Sequence, residues 1–248
     1  MQREFIPVVE ELEDLCQKYF ETRLASSYLH GSIDKGDAVP GISDLDYFLI
    51  IFGTVSEKDR IWIRETVSLL QAKYKLVEEV HLAVYTIDEI KKNRFALFTL
   101  KYNASLRLGK NIMELLALRG CDIYYPDKVM AKSRLGFARK CFEDALKNLQ
   151  PANTGGLPNN TYYAARKFAR YFIVIEGAYF LMAQNRFQSF DKTDVLKGLE
   201  ENTVGFKEIL EATKIVLQDP INAGITKEEY LRLIKPFVEW MFRQIEEA

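Results

Sequence analysis

Apolar residues recur along the first third of the chain with two different periods. Between residues 7 and 24, Val8, Leu12, Leu15 and Tyr19 fall three or four apart, the spacing of a helix that buries one face. Leu24 to Leu29 then runs as a short strand and stops at Gly31-Ser32. Asp44 to Phe52, read as Asp-Leu-Asp-Tyr-Phe-Leu-Ile-Ile-Phe, is rich in β-formers and closed by Gly53, which predicts a largely buried second strand. Ser56 with Asp59 three residues on predicts a helix start, because the hydroxyl accepts a backbone N–H and the acid answers it. That helix runs to about Tyr74, and Val80 to Ile87 reads as a third strand.

After Asp88 the pattern is mixed as far as Tyr125-Pro126, and from Asp127 strand signals all but vanish. Helices are expected over 127–150, 161–185, 191–217 with a break near Asn202, and 226–247. The last is the clearest: Leu231, Ile234, Val238, Met241 and Ile245 repeat at helical spacing, with Pro236 as an expected kink. Gln150 to Asn160 is a turn-rich connection. Strands first and helices afterwards predict an α+β chain: a small mixed-sheet α/β domain over 1–125 and an all-α bundle over 126–248, with a ligand expected in a cleft between them.

Composition narrows the partners. The 248 residues are 48% apolar and 28% charged, enough for sizeable cores and far from disordered or disulfide-dense classes. With 34 Lys+Arg against 35 Asp+Glu, no global field favours phosphate backbones or anionic membranes, so neither nucleic acid nor membrane is an expected partner. Cys16, Cys121 and Cys141 lie far apart, without metal-ligand spacing, and read as reduced thiols of a cytosolic protein. Tyr171 to Ala183 is the longest apolar run, but Glu176 interrupts it and it is shorter than the roughly 20 residues that span a bilayer. Met1-Gln2-Arg3-Glu4 carries no basic region followed by an apolar stretch, so no export signal is expected.

The chemistry concentrates in His30-Gly31-Ser32-Ile33-Asp34-Lys35-Gly36-Asp37-Ala38-Val39-Pro40-Gly41-Ile42-Ser43-Asp44-Leu45-Asp46. Gly-Ser after a strand lets backbone N–H groups and a hydroxyl approach an anion closely. Asp44-x-Asp46 at the head of a strand sends both carboxylates to one face, since strand side chains alternate with period two. Two neighbouring carboxylates repel unless a hard cation lies between them, and Mg²⁺ favours one or two carboxylates plus substrate phosphates. Together these residues describe a metal–nucleotide site.

The pattern resembles the nucleotidyltransferase superfamily of DNA polymerase beta: strand, Gly31-Ser32, a short connection, then Asp44-Leu45-Asp46 opening the next strand. The Ser43-Asp44-Leu45-Asp46 spelling, the chain length and the helical second half are most similar to the aminoglycoside nucleotidyltransferases of the kanamycin and streptomycin type. The resemblance implies Gly31 and Ser32 as nucleotide-binding residues, Asp44 and Asp46 as metal ligands, and Mg²⁺ with a nucleoside triphosphate as substrate, while Lys35, in the loop after Gly-Ser, could touch phosphate or stay solvated.

A third acidic group normally completes such a site, and the resemblance puts it at the second position of Val80-His81-Leu82, where this chain has histidine. Glu79 is in phase with His81 and lies one pleat away if the strand begins early. His81 could itself accept a proton, as the residue type that titrates nearest neutral pH. Glu176, an acid amid Phe172-Ile-Val-Ile175 and Gly177-Ala-Tyr-Phe-Leu181, could reach across from the helical domain, or could pair with an Arg or Lys inside the bundle. Arg166 and Arg170, four apart on one expected helix, could hold a triphosphate or could form surface ion pairs. Arg170 followed by Lys192 is similar to an arginine-then-lysine pair in the helical domain of the streptomycin type.

The resemblance therefore implies transfer of a nucleoside monophosphate, AMP from ATP first among them, to the hydroxyl of a small molecule such as an aminoglycoside. Asp34, Asp37, Glu78 and Glu79 suggest a locally acidic acceptor pocket. The rival reading is a nucleotide-binding sensor with weak or absent chemistry, suggested by His81. Transfer to protein or RNA fits less well, for want of a basic stripe. A shared site in a homodimer stays open.

Overall fold

The computed structural model describes residues 2–118, 125–147 and 160–248. The chain divides into two compact units, Met1–Tyr124 and Tyr125–Ala248. Cys121 and, apart from Asn160, the turn-rich connection of 150–160 lie outside the described residues.

The first unit runs α1 (Ile6–Phe20), β1 (Leu24–His30), the five-residue α2 (Gly31–Lys35), β2 (Leu45–Ile51), α3 (Glu57–Lys73), β3 (Val80–Thr86), α4 (Ile87–Lys92), α5 (Arg94–Tyr102), β4 (Ala104–Gly109) and α6 (Ile112–Leu118). The four strands make one mixed sheet in the order β3-β2-β1-β4, with β2 and β3 parallel and the other pairs antiparallel. β1, β2 and β3 end within one residue of the expected limits. β4 falls in the stretch that reads as mixed, because only Leu106 and Leu108 are large apolar residues and Leu106 is exposed. A sheet edge with little burial has no strong period to read.

Period two in β2 divides the unit into two cores. Leu45, Tyr47, Leu49 and Ile51 pack with Val8, Leu12, Phe20 and Leu70 from α1 and α3. Phe48 and Ile50 face the other way, toward Ile87, Ile90, Leu97, Leu100 and Ile112 from α4, α5 and α6. Burying apolar side chains on both faces is worth roughly 1.5–3 kcal/mol for each large one and makes β2 the axis of the unit. At the start of α3 the Ser56 hydroxyl accepts the Asp59 N–H at 3.2 Å and the Asp59 carboxylate accepts the Ser56 N–H at 2.7 Å, the reciprocal cap the sequence predicts. Asp59, buried, also takes two hydrogen bonds from Arg23, at 3.0 and 2.9 Å.

Among its described residues the second unit has helices and no strand: α7 (Lys128–Lys147), α8 (Asn160–Phe168), a π-helical segment (Ala169–Ile175), α9 (Glu176–Ala183), α10 (Lys192–Asn202), α11 (Lys207–Gln218), α12 (Pro220–Ala223) and α13 (Lys227–Glu247). The break near Asn202 separates α10 from α11. Pro236 lies inside α13, whose Tyr230, Leu231, Ile234, Phe237, Val238, Met241, Phe242 and Ile245 are buried. The expected single helix over 161–185 is instead two α-helices joined by π winding, which apolar periodicity does not announce.

Candidate active site

Gly31 turns the chain from β1 into α2 with φ +78°, a backbone conformation costly for residues with a Cβ. A Cβ there would lie 2.5 Å from Oδ2 of Asp46, so the absent side chain is also what lets the Asp46 carboxylate lie against the turn. α2 closes on Gly36 at φ +78°, and the Asp37 N–H donates to the Ser32 carbonyl at 3.1 Å. Ser32 is therefore held in a short helical turn at the end of β1, one residue past the glycine.

The connection to β2 is pinned at several points. Ser43 is buried and its Oγ accepts the Val39 N–H at 2.9 Å. The Gly41 N–H donates to the Leu76 carbonyl at 2.6 Å, the Glu78 N–H to the Ser43 carbonyl at 3.0 Å, and the Leu45 N–H to the Glu79 carbonyl at 2.8 Å. These bonds carry the pairing of β2 with the segment before β3 back past Leu45, so Asp44 stands beside Glu79. Ser43, Leu45 and Tyr47 are buried while Asp44 and Asp46 are partly exposed, the alternation that places both carboxylates on one face.

Asp46 pairs in register with His81 on one side and with His30 on the other. Side chains of paired residues share a face, so His30, Asp46 and His81 form one row across three strands. Glu79 joins that face: its Oε2 is 3.5 Å from Nε2 of His81, and both side chains are about half exposed. The structure thus brings Gly31, Ser32, Asp44, Asp46, Glu79 and His81 to one end of the sheet, where the even-numbered face of β2 runs out of apolar residues. Lys35, at the end of α2, has Nζ 3.9 Å from Oδ2 of Asp34. Asp34 does not contribute to an acidic wall, because its side chain is only 7% exposed.

His30 is the member of this row that sequence reasoning missed. Its signal was present, since it precedes Gly31 directly and shares a face with Tyr28, but a lone histidine before a glycine carries no metal or catalytic spacing. Its ring stacks on Phe48 at 4.7 Å between centroids. Burial, with the charges of His81 and Lys35, pushes its pKa down to about 4, so the ring is neutral near pH 7.

The helical-unit candidates have other engagements. Glu176 is 1% exposed, and its Oε1 accepts from Nη2 and Nε of Arg134 at 2.9 and 3.1 Å. Arg134 also donates to the Tyr171 hydroxyl at 3.1 Å and lies over the rings of Phe137, Tyr171 and Tyr179. Burial raises the Glu176 pKa and the Arg134 charge opposes that rise. Glu176 thus takes the ion-paired position inside the bundle, because a carboxylate among apolar neighbours is tolerated only with a cation beside it. Nε of Arg166 donates to the Leu217 carbonyl at 3.1 Å, tying α8 to α11. Arg170 falls in the π-helical segment, so the shared face expected from a four-residue spacing does not follow. Lys192 opens α10 after the Asp191 cap.

The family model of the nucleotidyltransferase domain matches residues 9–103, the span that carries β1, α2, β2 and β3. These residues are a nucleotidyltransferase domain. The match agrees with the resemblance to the DNA polymerase beta-like superfamily. The chain also shares its fold with the spectinomycin adenyltransferase AAD(9) from Enterococcus faecialis, crystallised with ATP and spectinomycin. That likeness has a TM-score of 0.58 over 97% of this chain and 99% of that one, at 12% identity. No curated protein sequence matches the chain.

Among the described residues, no three His, Cys, Asp or Glu side chains gather closely enough to hold a metal ion. Asp44 and Asp46 offer two carboxylates on one face at the head of β2. That set suits Mg²⁺, which keeps most of its shell for water and substrate phosphate oxygens, and does not suit a closed structural metal. No described helix is long and apolar enough to cross a membrane.

Proposed function

We propose that this protein transfers a nucleoside monophosphate, AMP from ATP, to a hydroxyl of a small cationic acceptor of the aminoglycoside or aminocyclitol class. The observation that carries the reading is the row of Asp46 between His30 and His81, with Asp44 on the same face and Gly31 packed against Asp46. The AAD(9) structure, with its ATP and spectinomycin, supports the choice of nucleotide and acceptor class.

In this reading Asp44 and Asp46 would hold Mg²⁺, which would supply neutralisation of the charge that builds at the α-phosphate. The hydroxyl of Ser32 and the leading N–H groups of α2, which have no partners within the helix, receive the phosphate oxygens beyond it. Lys35 adds a cation at the far end of the same turn. The acceptor oxygen forms its bond to the α-phosphorus in line as the bond to the β-phosphate oxygen breaks, and pyrophosphate leaves. The hydroxyl proton passes to His81 or Glu79, the two accessible basic groups beside Asp46 on the same face. Glu176, paired with Arg134, takes no part in this reaction, and the enzyme works in the cytoplasm.

The experiment is pyrophosphate release from ATP, GTP, CTP or UTP with a panel of aminoglycosides and aminocyclitols. One active pair, lost on Asp46→Asn, is expected. A protein that binds MgATP yet releases no pyrophosphate with any acceptor would be the sensor that His81, in place of a third acid, allows.

A further inference from the structure

We propose that Asp34 is a positioning residue of the phosphate turn: its buried carboxylate holds the Lys35 ammonium at the end of α2 before a nucleoside triphosphate arrives, and leaves the ammonium's N–H donors for phosphate oxygens. The role rests on the transfer reaction proposed above and falls to a residue that takes no direct part in it.

The Asp34 side chain is 7% exposed, and its Oδ2 is buried without accepting a hydrogen bond. A carboxylate oxygen in that state costs the fold stability. Asp59 and Glu176, acids buried at least as deeply, each accept two hydrogen bonds from an arginine. Arg107 is near enough to feel the charge of Asp34, yet its Nε and Nη2 donate to Glu13 at 2.6 and 3.4 Å. The cation that approaches Asp34 is Lys35, with Nζ 3.9 Å from Oδ2. A carboxylate retained for stability would be bonded as Asp59 and Glu176 are, so the arrangement points to a use in the site.

The separation of 3.9 Å is what suits the contact to that use. Attraction between opposite charges persists at this distance, whereas a hydrogen bond does not, so Asp34 restrains the ammonium without occupying any of its N–H donors. Lysine carries its charge on a long flexible stem, and ordering that stem at the moment of binding weakens affinity. Restraint in advance removes much of that loss. The backbone beneath is fixed as well, since the Gly36 N–H donates to the Ile33 carbonyl at 3.4 Å and the Asp37 N–H to the Ser32 carbonyl at 3.1 Å. The Lys35 charge also reaches the carboxylate row: after burial and His81, it is the third influence that depresses the pKa of His30, the strand partner of Asp46. Lys35 therefore lies within electrostatic reach of both the buried carboxylate and the row.

Removing the Asp34 charge has two opposite consequences for a triphosphate. Loss of a nearby anion tightens binding, loss of the hold on Lys35 weakens it, and the proposal requires the second to win. The test is calorimetric titration of MgATP into wild type, Asp34→Asn, Lys35→Ala and the double variant, with denaturant unfolding of each. Expected are binding about three- to tenfold weaker in Asp34→Asn, a similar loss in Lys35→Ala, and no further loss in the double variant, because Asp34 acts through Lys35. Asp34→Asn should unfold at a denaturant concentration equal to or above that of wild type, since a neutral amide replaces an unbonded buried charge. In turnover the change should fall on the KM for ATP, with kcat within about twofold of wild type. MgATP binding to Asp34→Asn that equals or exceeds wild type would overturn the proposal, as would a double variant weaker than both single ones. A lower unfolding midpoint in Asp34→Asn would make the carboxylate structural and overturn it too. Calorimetry needs no acceptor, so these failures are distinct from failure of the transfer reaction, which shows as MgATP binding without pyrophosphate release; absence of MgATP binding to wild type would overturn both.

Discussion

The place where a Cβ of residue 31 would stand is taken by the carboxylate of Asp46, whose Oδ2 comes within 2.5 Å of it. Gly36, five residues on, has the same φ of +78° but nothing within 4 Å of its Cβ position. The pair separates backbone strain from displacement of the carboxylate. Gly36→Ala should cost about 1–2 kcal/mol and leave nucleotide turnover near wild type. Gly31→Ala should cost more and abolish turnover, as read by thermal unfolding and pyrophosphate release on the same samples.

Asp46→Asn removes a charge and keeps the volume of a partly exposed side chain. Stability should stay within about 0.5 kcal/mol of wild type. Mg²⁺-dependent nucleotide binding should vanish, and titration with MgATP against ATP alone reads this directly. Equal Mg²⁺ dependence in the two proteins would remove Asp46 from the metal.

The proton acceptor is tested by His81→Ala and Glu79→Gln, alone and together. Loss of a general base lowers turnover by about a hundredfold or more with little change in nucleotide affinity. One of the two single variants should show that split between kcat and KM. Full activity in the double variant would place the base elsewhere.

Breaking the buried pair by Arg134→Met should cost about 3–5 kcal/mol, because it strands the Glu176 carboxylate among apolar side chains. The sign of the pH effect follows from the raised pKa of Glu176. Its protonated form is favoured in the fold, so its contribution is most favourable below the ordinary Glu pKa near 4.5 and declines as pH rises through the raised value. Without the guanidinium that decline steepens. Denaturant unfolding should then show Arg134→Met further below wild type at pH 7.5 than at pH 5.

Asp59 behaves in the opposite sense. The Arg23 guanidinium and the Ser56 N–H hold its carboxyl below the usual range, so it contributes stability above the ordinary Asp pKa near 3.8 and loses it as pH falls further. Asp59→Asn should flatten the acid limb of the stability profile and cost about 1–3 kcal/mol at pH 7, through the lost cap and a weakened Arg23 bond.

Much of this chain is written in local pattern. The β-rich run after Asp44, the Ser56–Asp59 cap and the 3,4 repeat of α13 are decided by neighbours in sequence, and they recur in the structure nearly where they are read. The alternation of Asp44 and Asp46 onto one face is equally local, because it follows from strand geometry. What the sequence could not decide depends on partners far along the chain. His30 joins Asp46 only through strand pairing, and His81 comes to its other side only through the crossover over residues 52–79 that makes β2 and β3 parallel. Glu176 reads in sequence either as a catalytic acid or as half of an ion pair inside the bundle, and Arg134, forty-two positions earlier, is the partner that only the tertiary structure supplies. The π winding at Ala169–Ile175 lies within a continuous apolar run that does not distinguish it from α-helix, and the edge strand β4 carries only a six-residue alternation of Ala104, Leu106 and Leu108, too short to stand out from the mixed stretch around it.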